Sequence, residues 1–113
     1  MTLAAGNLRH RIELQRQSRV QDGETGEETV TWVEAARLWA SVEPLSAREF
    51  VASAAKQSQV TTRITIRYRS DIDATMRILH RGRIFNIEGV LSDRESGLEY
   101  LTLPCSEGTN DGA

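Results

Sequence analysis

The chain has 113 residues, long enough to bury one core and too short for two domains. Its 14 basic and 16 acidic side chains leave a net charge of −2, which argues against a globally basic nucleic-acid binder and against an acidic tail protein. Two Phe, two Tyr and two Trp make the core mostly aliphatic, the single Cys105 cannot form an internal disulfide, and no stretch approaches the roughly 20 apolar residues of a membrane span. Residues 1–8 are apolar but reach Arg9 too soon for a signal-peptide core, so a soluble product of a reducing cytosol is expected.

From the N-terminus, Leu8, His10, Ile12 and Leu14 alternate with Arg9, Arg11, Glu13 and Gln15, the period of two that marks a strand with one wet face. His10 lies on the apolar side. The only other histidine is His80 and no Cys or carboxylate cluster adjoins His10 in sequence, so it reads as a partly buried histidine and not as a metal ligand. Residues 18–28 are polar, carry Gly23 and Gly26, and predict a long solvated hairpin tip. The carboxylates of Asp22, Glu24, Glu27 and Glu28 lack the spacing of a calcium loop and read as an acidic turn.

Residues 29–43 turn apolar again. Val30, Trp32 and Glu34 alternate at one end, and Leu38, Ala40 and Val42 alternate against Trp39 and Ser41 at the other. Between them, Glu34-Ala35-Ala36-Arg37 fits either a β-bulge or a single helical turn. No basic or Gly-rich pattern surrounds the two tryptophans, which therefore read as core and interface filler and not as a stacking platform for bases. Pro44 ends the strand, having no N–H for the ladder. Ser46-Ala47-Arg48-Glu49 then has the form of a capping box, followed by an alanine-rich run from Phe50 to Lys56. Either a short helix or a mobile loop is expected there, because a helix of about a dozen residues is marginal without a surface to dock on.

The next 30 residues carry the clearest pattern. Val60, Thr62, Ile64, Ile66 and Tyr68 alternate with Thr61, Arg63, Thr65, Arg67 and Arg69. A polar turn at residues 70–73, a short strand from Met76, a turn on Arg81-Gly82-Arg83 and a further strand over residues 84–90 follow. Turns this short predict an antiparallel meander, since parallel strands need long crossovers. A charged turn over residues 91–97 and a last strand over residues 98–103 close the fold, and residues 106–113 read as a tail that is free or docks on a neighbour.

No Ser-His-Asp spacing, phosphate-binding glycine loop or Cys/His metal set is present, so neither an enzyme nor a bound metal or cofactor is expected. Cys105 reads as a small apolar residue at a strand end. Charge is nevertheless uneven: six arginines and two aspartates between Val60 and Phe85 give a local +4 against −6 for the rest. The basic face of Arg63, Arg67 and Arg69 fits three roles, which are contact with nucleic acid, contact with an acidic face of a neighbouring copy, and a solvated edge that blocks aggregation.

The order of these pieces resembles a known family. Leu8-Arg9-His10-Arg11-Ile12-Glu13-Leu14, Asp22-Gly23, Trp32, Leu38-Trp39-Ala40-Ser41-Val42-Glu43-Pro44, Ile64-Thr65-Ile66-Arg67-Tyr68, Met76-Arg77-Ile78, Gly82, Phe85-Asn86-Ile87 and Leu101-Thr102-Leu103-Pro104-Cys105 look like the head–tail joining proteins of tailed bacteriophages, also called head-closure or stopper proteins. The resemblance spans residues 8–105. It implies a mainly β fold, a small antiparallel β-barrel or sandwich with one short helix and a long inserted loop, between an N-terminal arm at residues 1–7 and a flexible tail at 106–113. It also implies a structural virion protein, assembled in the bacterial host cytoplasm as a homo-oligomeric ring. That ring would lie below the portal and adaptor, hold packaged double-stranded DNA and dock the tail-completion protein, with no membrane involved. The segment 45–59 would be the loop that reaches the channel, which makes Ser46, Arg48, Glu49, Phe50 and Lys56 candidate channel residues beside Arg63, Arg67 and Arg69. Two rivals stay open, a tail-terminator-type completion protein and an OB-like nucleic-acid module. The second needs aromatics interleaved with the arginines on one face, and Tyr68 falls on the apolar side of its strand.

Overall fold

The alternation of apolar and polar side chains decides which face of each strand turns inward, and the computed structural model, which describes residues 7–46 and 60–108, closes those inward faces on one another. Seven strands run β1 (His10–Gln21), β2 (Glu28–Pro44), β3 (Thr62–Arg67), β4 (Arg77–His80), β5 (Arg83–Ile87), β6 (Leu91–Ser92) and β7 (Tyr100–Glu107). They pair antiparallel in the order β3-β2-β1-β4-β5-β7, and β7 returns to β3, so six strands form a closed barrel. The two-residue β6 lies on the edge of β7 that β5 leaves free. Closure removes the exposed sheet edges that invite aggregation.

The core is aliphatic around a single ring. Ile12, Leu14, Ile64, Ile66, Ile78, Leu101 and Leu103 surround Phe85, and Cys105 is fully buried among them. Along β1 the expected alternation holds as far as Leu14, after which Gln15, expected on the wet face, is buried, and along β3 it holds, with Thr62, Ile64 and Ile66 inside and Arg63, Thr65 and Arg67 turned out. Tyr68 departs from it. β3 ends at Arg67, Tyr68 gives its N–H to the Glu99 carbonyl at 2.9 Å, and its ring is 37% exposed.

The expected meander from residue 60 does not form, because β3 pairs with β2 and β7 while β4 crosses to β1 before the hairpin to β5. Three local expectations change as well. The break in β2 is a bulge: Leu14 faces Ala36 and Gln15 faces Glu34, which leaves Ala35 as the extra residue. The hairpin tip is shorter than its composition suggested, because β1 continues to Gln21 and β2 starts at Glu28, with the turn held by Asp22 N–H to Glu27 O and Gly26 N–H to Asp22 O, both 2.8 Å. β7 also runs to Glu107, two residues into the expected tail, since Ser106 is buried and bonds Glu88 while Glu107 pairs with Arg83. The expected helix lies, from residue 47 on, outside the described residues, as do residues 1–6 and 109–113.

Two turns tie the strands locally. Between β4 and β5, Arg81 and Gly82 both take positive φ, 53° and 77°, the conformation of a two-residue hairpin whose twist matches its strands. Between β6 and β7, one Asp93 carboxylate accepts the N–H groups of Ser96 (2.9 Å), Gly97 (3.1 Å), Glu99 (2.9 Å) and Tyr100 (3.2 Å), and the Ser96 hydroxyl. The backbone bond from Ser96 leads the causes that hold its pKa well below the usual carboxylate range.

Because the folded pKa is depressed, Asp93 contributes stability that is present above its ordinary value of 3.8 and lost as pH falls below it. Asp93→Asn, which keeps the shape but offers one acceptor oxygen, is expected to lower the denaturation midpoint at pH 7. The gap to wild type should narrow progressively below pH 3.8. Urea midpoints measured from pH 7 to pH 2 would refute this assignment if the gap stayed constant.

Candidate interaction surfaces

The barrel has two unlike ends. At one, β1 begins, β2 ends, β3 begins, β4 ends, β5 begins and β7 ends, so the N-terminal segment, the 46–60 insertion and the chain after Glu107 all leave from the same side. The insertion is anchored at its base: Leu45 N–H donates to Thr61 O, and Thr61 N–H to Cys105 O, each at 2.9 Å. Of the five channel candidates only Ser46 falls within the described residues, where it is exposed, while Arg48, Glu49, Phe50 and Lys56 lie outside them. Beside that base, Asn7, Arg9, His10, Ser41, Val42 and Glu43 line a shallow open hollow.

Folding also brings together the two histidines that are 70 positions apart. His10 and His80 meet edge to face, ring centroids 5.2 Å apart, with His80 only 7% exposed. Burial first, then the charges of His10, Arg81 and Arg83, lowers the pKa of His80. No third ligand joins them among the described residues, so the pair does not make a metal site. Cys105 is inert: burial, aided by the nearby Glu88 charge, pushes its thiol up to about 12.

The basic face splits on inspection of its partners. Arg63 and Arg67 both point outward from β3, but Arg69 lies beyond the strand and is clamped by Asp71 through two bonds of 3.0 and 2.9 Å. Arg63 is half-buried on the ladder between Glu43 and Pro104. What the charge pattern did not reveal is the company of Trp39. This ring is 54% exposed on the outer wall, and the Arg11 guanidinium lies 5.2 Å from its centre. The β2–β3 register ends with Ala40 opposite Ile66, so Trp39 and Arg67 sit one step further on, and Arg67 in turn faces Tyr100. Arg11, Trp39, Arg67 and Tyr100 thus form one row across four strands. Basic side chains therefore do surround a tryptophan, in space and not in sequence. The signal was available: Trp39 alternates with Leu38, Ala40 and Val42 and so falls opposite the apolar side.

At the other end a ribbon leaves the barrel. β1 pairs with β4 only through Gln15, and beyond it β1 and β2 pair with each other alone, to Gln21 and Glu28. About six residues of extended ribbon project roughly 20 Å. Its base is braced by Arg77 of β4, whose Nε donates to Gln15 Oε1 at 2.7 Å and whose guanidinium lies 4.2 Å from the centre of the Trp32 ring. Toward the turn, Glu24 and Glu27 are exposed and Val20 is 60% exposed.

Comparison with known proteins agrees with this anatomy. The family model for phage head completion proteins matches residues 3–108. Head completion protein gp16 of Bacillus phage SPP1 is 32% identical over 93 residues, which cover 82% of this chain and 83% of that one. The solution structure of protein SF1141 from Shigella flexneri 2a superposes with a TM-score of 0.80 at 38% identity, over 96% of this chain and 99% of that one. A chain from the virion of a native gene transfer agent particle shares the fold, with a TM-score of 0.57 at 24% identity, over 88% and 94% of the two chains.

The ribbon brace and the wall pair differ in what their loss should do. Arg77→Ala removes a half-buried bond and the cover of Trp32, and should cost about 1–3 kcal/mol. Arg11→Ala, on an exposed ring, should cost within about 1 kcal/mol. Amide exchange over residues 16–33 should quicken in Arg77→Ala and stay unchanged in Arg11→Ala. Equal exchange in the two variants would show that Arg77 does not hold the ribbon.

Proposed function

The chain belongs to the phage head completion protein family, and from that membership we propose that it works as a ring of copies below the portal and its adaptor, closing the DNA-filled head and docking the tail. As a member it is a structural component of the virion that meets other head and tail proteins. The observation that carries the finer reading is the anchored insertion: a closed barrel wall from one end of which the segment 46–60 departs, pinned by the Leu45–Thr61 and Thr61–Cys105 bonds.

In this reading the action is mechanical and has no catalytic step. Barrels pack side by side as the wall of the ring, and the segments bearing Ser46, Arg48, Glu49, Phe50 and Lys56 converge on the channel axis, where packaged double-stranded DNA is held. Arg67 is exposed toward a negative neighbour, Arg63 is half-buried on the ladder, and Arg69 is committed to Asp71. Residues 1–7 and those after Glu107 leave from the same end as the insertion and serve as ties to an adjoining ring. Each tie alone is weak. Repetition around a ring multiplies weak contacts, so a chain unremarkable as a monomer is held firmly when docked.

The row of Arg11, Trp39 and Arg67 gives the nucleic-acid reading its one supporting observation, an aromatic between two cations on a sheet face. That reading requires tight, salt-dependent DNA binding by the isolated chain, which the connector reading does not.

Deletion of residues 47–55 should leave a folded barrel, since the anchoring bonds lie outside the deleted stretch. Particles carrying the deletion should leak DNA or fail to join tails. Normal infectivity of such particles would sink the channel role of the insertion.

A further inference from the structure

We propose that the acidic tip of the β1–β2 ribbon of one copy docks on the Arg11–Trp39–Arg67 wall of the next copy, head to tail. The proposal rests on the ring reading above and names the contact that would build the ring.

The cations come first. Among the described residues Arg19, Arg37, Arg69 and Arg83 are ion-paired, with Glu28, Glu34, Asp71 and Glu107 respectively. Arg11 and Arg67 are exposed and meet no carboxylate among those residues. Between them stands Trp39, the one tryptophan left largely open to solvent. Exposed Trp flanked by Arg is the composition of an interface anchor, where burial and charge reinforce each other.

The ribbon tip is the complement. The carboxylates of Glu24 and Glu27 contact no described group; their backbone N–H groups donate to the Asp22 and Thr25 side chains, and the Glu27 carbonyl accepts from Asp22 N–H. Val20, one residue before the end of β1 and opposite Thr29, is an apolar side chain left 60% exposed near the tip. Reach fits as well. The ribbon projects about 20 Å, comparable to the 29 and 26 Å short dimensions of the molecule. Because it continues two strands that are tilted in the barrel, it leaves obliquely and not along the axis.

Tip and wall are different patches, so the contact is heterologous, the type that generates a ring when its rotation closes. A second copy suits the wall better than duplex DNA does. A phosphate backbone laid along this wall would run past the exposed Glu43, whereas a short tip needs only the Arg11–Trp39–Arg67 row.

The test uses the full chain in particles assembled with all head and tail proteins. With Glu24→Cys and Arg67→Cys combined, oxidation should give a reducible ladder of species larger than dimer, and the fully buried Cys105 should not compete. Arg11→Glu with Arg67→Glu should cut tail-joined particles by about ten-fold, Glu24→Arg with Glu27→Arg should do the same, and the four changes together should recover most of the loss. Intact rings seen by electron microscopy with no ladder and no effect of reversal would overturn this contact and leave the ring standing. A ladder that stops at dimer would replace head-to-tail docking with a two-fold contact and so overturn it. Wild-type particles without a ring would overturn the functional reading and this contact together. Loss of salt-dependent duplex binding in the wall variant, with no rescue by the tip variant, would give the wall to DNA instead.

Discussion

The fold depends on the pairing of β3 with β7. Six residue pairs, from Thr62 opposite Cys105 to Arg67 opposite Tyr100, join segments almost 40 positions apart and turn an open six-stranded sheet into a barrel. Without that ladder, β3 and β7 would be edges with unpaired N–H and C=O groups. With it, Ile64, Ile66, Leu101 and Leu103 face Phe85 across a dry interior. The same pairing fixes the base of the insertion, because the bond from Thr61 N–H to Cys105 O adjoins the end of this ladder.

A closed barrel of short strands leaves little to vary except what hangs from its ends and what decorates its wall. One end releases the insertion and both terminal segments, and the other releases the ribbon. The Ala35 bulge lies where β2 leaves the barrel. An extra residue there bends the strand and raises its twist, which is how a strand can serve the barrel wall below and a free ribbon above. Arg77 then stiffens the junction by bonding Gln15 and covering Trp32.

Arginines do three different jobs in this protein, and charge counting cannot separate them. Arg69 and Arg83 tie loops and strand ends through carboxylates, Arg77 braces the ribbon, and Arg11 lies on an exposed ring. The local excess of six arginines over two aspartates overstated the free positive charge, since Asp71 and Glu107 neutralise two of the six. For a head completion protein, such exposed ion pairs matter less for stability than for which surfaces remain available to partners. On the barrel wall it is Arg11 and Arg67, on either side of Trp39, that combine charge with open apolar area.

The amino-acid sequence by itself determined most of the strands, their inward faces and the β4–β5 hairpin, but not the meander expected from residue 60, since β3 pairs with β2 and β7 and β4 with β1. Those features depend on a period of two and on short turns, both of which are local. It also placed the insertion between two strands and the inertness of Cys105. Local pattern could not choose between bulge and helical turn at residues 34–37, because both accommodate one extra residue. It extended the Tyr68 alternation past the end of β3, since the exit of a strand is decided by the Glu99 carbonyl that captures its backbone. The two histidines, the cations on both tryptophan rings and the row of Arg11, Trp39, Arg67 and Tyr100 are products of tertiary structure alone. Each joins residues from different strands, and which strands become neighbours is settled only when the barrel closes and its register is set by packing.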